Sequence, residues 1–211
     1  MLPEDLARLH PRLFHLTHPE SEAGIRRHGL LSTRVLLEKL EYPECARKEF
    51  LSQIRPGSVK LYHPDFGHAV VTDNAPLNEQ KLSACLDDGL TPAEWMRLLN
   101  SRVFFWPDQK KLQTLKGARL NRDRSRKVLV FDTLTLLQRY LAQAEISPIN
   151  TGATLYQPAR RGRLTFTPAG AVDYKTWRRL RGMRTLDGIK EVTVLGGIPD
   201  ASRFIIDSYT L

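Results

Sequence analysis

Cysteine is scarce in this sequence of 211 residues, in which only Cys45 and Cys85 occur. Two cysteines are too few for a disulfide framework, and they show no metal-ligand spacing. No run of 18 or more apolar residues occurs, which excludes a membrane-spanning helix. The first five residues lack the basic start and the apolar stretch of a signal peptide. These absences predict a protein of the reducing cytoplasm that binds no metal.

The sequence also lacks internal repeats and any Pro- or Ser-rich linker, so we expect residues 1–211 to form a single domain. Its 41% hydrophobic and 26% charged residues are typical of a globular chain. Neither the Rossmann G-x-G-x-x-G pattern nor a Walker loop is present. Redox use of a nicotinamide cofactor and nucleotide hydrolysis therefore lack their usual sequence marks.

Acidic residues are outnumbered only in the second half of the chain. Residues 1–100 carry 12 basic and 14 acidic side chains, whereas residues 101–211 carry 20 basic and 9 acidic ones. The whole net charge of +9 thus comes from the second half. Such asymmetry favours a polyanionic partner that contacts one face of the protein.

Two segments, 116–127 and 160–184, concentrate these basic residues, and the second also contains aromatic residues. Cations neutralise phosphates, and rings stack on unpaired bases, so the two segments suit a groove for nucleic acid. The alternative is a solvated basic loop. The residues predicted to bind nucleic acid are Arg122, Arg124, Arg126, Lys127, Arg160, Arg161, Trp177, Arg178, Arg179 and Arg181.

Hydrophobic periodicity predicts short strands separated by helices. The predicted strands span residues 13–17, 59–62, 69–72, 102–106, 128–131, 191–194 and 204–206. The predicted helices are 21–28, ended by Gly29, a second one capped by Thr33, a third from the Thr91-Pro92 start signal to Asn100, and 133–142. Helices crowd the first 140 residues, and the strands are short and scattered, which favours an α+β fold.

Polar side chains on two of these strands are candidates for chemistry. His15 and Thr17 point to the same side of the first strand and can converge on one ligand. Glu191 begins an otherwise apolar strand, where a carboxylate is costly to bury unless it is paired or functional. Each has a structural alternative, a satisfied histidine on a half-buried strand and an exposed glutamate at a strand end.

The strand 102–106 combines a cation with aromatic rings. Arg102, Phe104 and Trp106 share one face, which can stack a flat ligand ring and pair with a phosphate or carboxylate. The alternative is an aromatic core strand on which the Arg102 side chain extends to solvent.

In this order the motifs resemble those of the ADP-ribosyltransferases, in particular the DarT-like branch and its relatives of unassigned function. The resemblance runs from about residue 13 to 206. It includes the early histidine strand, the xxGL turn in Arg27-His28-Gly29-Leu30, the aromatic strand, and a late strand opened by Glu191 and followed by Gly196-Gly197. It implies split mixed or antiparallel sheets around an NAD cleft, with peripheral helices.

The resemblance also implies roles for individual residues. Glu191 would be the catalytic carboxylate that faces an oxocarbenium-like ribosyl cation. His15 would hold the adenosine-side ribose hydroxyls, with Thr17 beside it, and Phe104 or Trp106 would stack on nicotinamide. Further cofactor contacts, including those to the pyrophosphate, are expected from Ser32, Arg34 and Arg102.

The DarT-like enzymes modify DNA bases and related transferases act on RNA, so the resemblance and the basic second half together predict a nucleic acid acceptor. Arginine-directed transferases carry Glu or Gln two residues before the catalytic glutamate. Here that residue is Ile189, which disfavours an arginine acceptor. The alternatives are a non-enzymatic nucleic-acid-binding module, an NAD glycohydrolase with water as the acceptor, and a transferase that modifies protein.

Overall fold

The computed structural model describes residues 1–110, 112, 125–183 and 188–211, which form helices and antiparallel strands in an α+β arrangement. The helices are α1 (Pro3–Leu9), α2 (Glu22–His28), α3 (Thr33–Lys39), α4 (Glu44–Ser52), α5 (Glu79–Cys85), α6 (Pro92–Asn100), α7 (Thr133–Tyr140) and α8 (Tyr174–Leu180). The strands are β1 (Arg12–Thr17), β2 (Leu30–Leu31), β3 (Val59–His63), β4 (Gly67–Val71), β5 (Arg102–Phe105), β6 (Lys127–Asp132), β7 (Ala144–Ser147), β8 (Thr167–Pro168), β9 (Glu191–Leu195), β10 (Gly197–Ile198) and β11 (Ile205–Thr210). The predicted α+β class is confirmed.

Two antiparallel sheets carry most of the strands. One has the order β1-β6-β11 and the other the order β5-β9-β7-β8. They meet where the chain leaves β5, because Phe14 of β1 and Trp106 exchange main-chain hydrogen bonds of 2.9 and 2.8 Å. Along its length β1 pairs with β6 and β5 pairs with β9, and among the described residues β1 and β5 are not paired with each other, so the two sheets diverge from this isolated bridge.

Alternation along the second sheet separates an apolar face from a polar one. Val103, Phe105, Val192 and Val194 are buried in the main hydrophobic core. The residues between them face the opposite side, and the register sets Phe104 opposite Thr193 and Ser147 opposite Glu191. The period of two therefore presents a polar and aromatic face on the side where β1 diverges.

Local signals place several helix ends correctly. Thr91 and Glu94 form the predicted capping box of α6. Gly29 ends α2 with φ of +91°, and a Cβ there would lie 2.5 Å from Pro199. The expected cap of α3 is wrong by one residue, because the hydroxyl of Ser32, and not that of Thr33, accepts the hydrogen bond from the Val35 amide.

Several elements have no counterpart in the sequence predictions, namely α1, α4, α5, α8, β7 and the two-residue strands β2, β8 and β10. Of these β7 matters most, because it lies between β9 and β8. Its sequence, Ala-Glu-Ile-Ser, is short and half polar, although all four residues are buried. Within the described part of the chain, no helix has the length and apolar character that crossing a membrane requires.

Candidate functional site

A cavity of about 360 Å³ opens where the two sheets diverge, which is within the size range of small-molecule sites. His15, Phe104 and Glu191, from three different strands, all line it. Strands β2 and β4, helices α2 and α3 and the loop 150–153 supply other parts of the wall. Its polar and aromatic lining includes Thr17, Arg55, Phe66, His68, Asp73, Asn74, Asn100, Arg102, Trp106, Arg126 and Thr151.

The bridge at Trp106 sets the distance between the two sides of the cavity. Phe14 pairs with Trp106 directly. Glu191 precedes Val192, which pairs with Phe105, so its backbone lies beside Trp106 on the other side. Strands are about 4.8 Å apart, and the backbones of Phe14 and Glu191 are therefore separated by roughly 10 Å. One ligand of dinucleotide size can contact side chains from both β1 and β9, such as His15 and Glu191.

Glu191 is only 5% exposed, and among the described residues its carboxylate is hydrogen-bonded by Thr151 alone. The Thr151 hydroxyl donates to Oε2 at 2.7 Å, and the Thr151 amide lies 3.2 Å from both carboxylate oxygens. Burial raises the pKa of Glu191 to about 7, against the opposing effects of these hydrogen bonds and of the Arg161 charge. A carboxylate that titrates near neutral pH in a cavity wall is typical of a catalytic group.

His15 faces the same cavity as a neutral imidazole. Its Nδ1 lies 2.9 Å from the carbonyl oxygen of Phe104, which can only accept, so Nδ1 carries the proton. Burial lowers the pKa of His15 to about 4, although the bond to Phe104 works in the opposite direction. At neutral pH the other nitrogen, Nε2, is therefore a hydrogen-bond acceptor, which suits a ligand hydroxyl.

Two arginines of the cavity wall each have one hydrogen-bond donor that no described residue accepts. Arg55 Nη1 and Arg126 Nε are buried and have no partner among the described residues. The remaining bonds fix both guanidinium groups, since Arg55 donates to Asn100 at 3.2 Å and Arg126 pairs with Asp73 at 2.6 Å. Burial lowers the pKa of Arg55 to about 10, so it stays cationic at neutral pH. Unpaired buried donors on fixed cations suit an anionic ligand group.

The expected cofactor role of three other residues needs correction. Arg102 lines the cavity, but its guanidinium forms a two-bond ion pair with Glu145, at 2.7 and 3.0 Å, and a bond of 2.7 Å to the Leu98 carbonyl. Arg34 is exposed and does not line the cavity. Ser32 is buried as the cap of α3, also outside the lining. The hydrogen bonds of Arg102 and Ser32 therefore stabilise the fold.

The predicted nucleic acid groove is wrong at its central aromatic residue. Trp177 is 2% exposed, and its indole nitrogen donates to the Thr167 hydroxyl at 3.2 Å. Arg161 is equally buried, because its guanidinium donates to main-chain carbonyls. Both are core residues and cannot contact bases.

The other predicted groove residues differ in their availability. Arg126 and Lys127 are in ion pairs with Asp73 and Glu22. Arg160 bonds Asp87, and Arg181 bonds the Thr167 hydroxyl. The Arg178 guanidinium lies 5.7 Å from the Tyr174 ring, and Arg179 is exposed. Arg122 and Arg124 lie outside the described residues.

Thr151 and Arg55 are the site residues that sequence reasoning missed. Thr151 lies in an irregular loop, and Arg55 stands alone before Pro56-Gly57. Neither has a motif of its own. The one sequence signal is the position of Glu191 at the start of an apolar strand, because a carboxylate buried there requires donors from elsewhere in the chain.

Comparison with known proteins places the chain in a family without assigning it an activity. A model of the family of unknown function DUF7002 matches residues 11–205, which is most of the chain, and the protein belongs to that family. No curated protein matches the sequence. The matched region contains all the cavity residues named above.

The raised pKa of Glu191 predicts a pH-dependent effect of Glu191→Gln on stability. In the unfolded chain the carboxyl ionises near pH 4.5, and in the folded protein near pH 7, so ionisation costs folding energy as pH rises through this window. The variant avoids that cost. Relative to wild type it should gain roughly 3 kcal/mol of unfolding free energy between about pH 4.5 and pH 8.

Urea denaturation of both proteins at the two pH values measures this gain. Glu38→Gln, which removes an exposed carboxylate from α3, is the matched control and should show little pH-dependent change. An equal effect of Glu191→Gln at both pH values would contradict a buried carboxyl that titrates near neutrality.

Proposed function

We propose that this member of the DUF7002 family is an NAD-dependent ADP-ribosyltransferase that transfers ADP-ribose to nucleic acid. The observation that carries the proposal is the shared cavity of His15, Phe104 and Glu191, in which the histidine is neutral and the glutamate titrates near pH 7. The strand motifs that resemble the transferases are the ones that meet there.

In this reaction Glu191 acts on the ribose next to nicotinamide. The bond between C1′ and the pyridinium nitrogen breaks, and both electrons leave with nicotinamide, which becomes neutral. The ribose becomes cation-like, and an ionised Glu191 stabilises it while accepting a hydrogen bond from the 2′-hydroxyl. Oε1 is the oxygen placed to accept this bond, because it shares only the Thr151 amide at 3.2 Å, whereas Oε2 also accepts from the Thr151 hydroxyl at 2.7 Å. The acceptor nucleophile then bonds to C1′ and loses its proton.

The rest of the cavity suits the other parts of NAD. His15 Nε2 accepts from an adenosine-side ribose hydroxyl, and Phe104 offers a half-buried ring for nicotinamide. Arg55 Nη1 and Arg126 Nε supply donors for the pyrophosphate. Arg55 and Arg126 would thus bind the pyrophosphate, a role that the sequence analysis predicted for Arg34 and Arg102.

An exposed ring near the cavity and exposed cations of the basic segment support a nucleic acid acceptor. Tyr156 is 89% exposed and lies three residues after Ala153, a cavity residue, so their Cα atoms are at most about 11 Å apart. Arg163, Lys175 and Arg179 are exposed cations of the basic segment 160–184. An exposed ring and exposed cations are the features that single-strand binding uses. A protein acceptor and water are the alternatives.

Incubation with NAD labelled in its adenylate part separates the function classes. The proposal predicts label on DNA or RNA together with free nicotinamide, and a fall in turnover of ~10²–10³ in Glu191→Gln, because the charge that faces the ribosyl cation is lost. Free nicotinamide without labelled acceptor would indicate a glycohydrolase. No turnover, combined with nucleic acid binding, would overturn the enzyme and favour a binding module.

The pyrophosphate contact predicts that Arg55→Met raises the KM for NAD about 10- to 100-fold, which is the usual worth of a hydrogen bond to a charged group. Arg34→Met is the matched control, because it removes an exposed arginine outside the cavity, and it should leave KM unchanged. Equal KM values for the two variants would remove Arg55 from the NAD site.

The acceptor surface predicts that Tyr156→Ala weakens binding of a single-stranded oligonucleotide by ~1–3 kcal/mol, because a stacked base loses its ring. Tyr156→Phe keeps the ring and should bind as wild type does. Fluorescence anisotropy at several salt concentrations measures both effects. Absence of binding to DNA and RNA at low salt would contradict the nucleic acid acceptor and favour a protein one.

A further inference from the structure

Arg161 is a buried cation without an ion-pair partner. It is 2% exposed, and no carboxylate of the described residues lies within 4.0 Å of its guanidinium. The guanidinium instead donates to the carbonyls of Thr151 at 2.8 Å, Ala159 at 3.1 Å and Ala153 at 3.2 Å. Burying a full charge to bind neutral carbonyls is costly, and a role near another charge explains that cost better.

Glu191 is the carboxylate on which the charge of Arg161 acts. Thr151 accepts a hydrogen bond from Arg161 through its carbonyl and donates to Glu191 through its amide and its hydroxyl. One buried residue thus links the cation and the carboxylate. We propose that Thr151 and Arg161 form a buried clamp that positions the Glu191 carboxylate in the cavity wall, with Arg161 acting through Thr151.

The path of the chain explains why a clamp is required. Strand β7 ends at Ser147, opposite Glu191, and the irregular segment that follows brings Thr151 back over the carboxylate. Ser147 supports the start of this turn, because its hydroxyl bonds the main chain of Ile149. No strand pairing among the described residues holds residues 148–153, so the Arg161 bonds supply the missing restraint.

Arg161 itself is fixed from the opposite side. Its amide donates to the Cys85 carbonyl at 2.9 Å, and its carbonyl accepts from the Asp87 amide at 2.8 Å. The guanidinium carbon lies 5.9 Å from the centre of the buried Trp95 ring. Because main chain and side chain are both held, Arg161 can transmit a defined position to Thr151.

Arg161 is the charged group whose electrostatic effect reaches Glu191, and it lowers the pKa of the carboxyl, as do the two Thr151 bonds. The other titratable groups of the cavity wall are His15, His68, Arg55, Asp73, Arg102 and Arg126. Only the effect of the clamp on catalysis rests on the proposed function. Its geometric effect on Glu191 is measurable without turnover.

The decisive variant is Thr151→Val, which removes the hydroxyl donor and keeps the size and the amide. In protein with ¹³C-labelled glutamate, NMR titration follows the Glu191 carboxyl, and Glu191→Gln identifies its signal. We expect a wild-type midpoint near the Glu191 pKa of about 7. Thr151→Val should raise the midpoint of the Glu191 titration by about one pH unit, and Thr151→Ser should restore the wild-type midpoint.

Arg161→Gln keeps hydrogen-bonding capacity without the charge and should also raise the pKa of Glu191. Arg160→Gln is its matched control, because it neutralises the adjacent exposed arginine, and it should leave the titration unchanged. If Arg161→Gln fails to fold, the Thr151 variants still decide. Wild-type titration in Thr151→Val would overturn the clamp.

Kinetics then tests the catalytic meaning of the clamp. In Thr151→Val the rise of nicotinamide release with pH should shift to higher pH by the same amount, with KM for NAD changed less than about twofold. A wild-type protein that releases no nicotinamide would refute the proposed function and leave the NMR result valid. A pKa that rises without a matching shift in turnover would refute the catalytic role of the clamp alone.

Discussion

The main-chain pair between Phe14 and Trp106 joins two sheets that no other strand pairing among the described residues connects. The bridge is isolated, and among the described residues β1 and β5 have no further pairing, so the two sheets diverge from it. The divergence frees the Phe104 carbonyl from any strand partner on that side, and the His15 ring satisfies it. The cavity, the neutral state of His15 and the half-buried ring of Phe104 all follow from this single junction.

The polar groups around the cavity make its construction costly. Arg102 and Glu145 are buried as a pair, Arg161 is buried against carbonyls, and Glu191 is buried against one threonine. Apolar residues of similar volume would stabilise such positions equally well or better. Retention of charge in the interior is a stability cost that functional sites commonly carry. Here the costs concentrate around one carboxylate, which is where the proposed chemistry needs them.

Local patterns were sufficient to predict the elements that carry the cavity, but not the groups that complete it. Alternation located β1, β5 and β9, and the capping box located α6. The period of two also put Phe104 and Trp106 on one face. Strand β7 was not predicted because half of it is polar, and the partner that allows Glu145 to be buried, Arg102, is far away in sequence.

The errors have a common physical cause. The basic segment around Trp177 reads as a solvated surface, yet α8 is amphipathic and turns its tryptophan into the core while Arg179 stays exposed. Arg161 reads as one more surface cation because main-chain carbonyls, which leave no trace in a sequence, are its partners. Arg55 and Thr151 act through contacts that only the tertiary fold creates.

In the proposed reaction one NAD molecule bridges the two diverging sheets. A crystal structure of Glu191→Gln protein with NAD would show this, because the variant should bind the dinucleotide without consuming it. We expect nicotinamide against Phe104, its ribose 2′-hydroxyl beside the substituted side chain, the other ribose at His15 and the pyrophosphate at Arg55. NAD bound outside the cavity, or an empty cavity at saturating NAD, would contradict it.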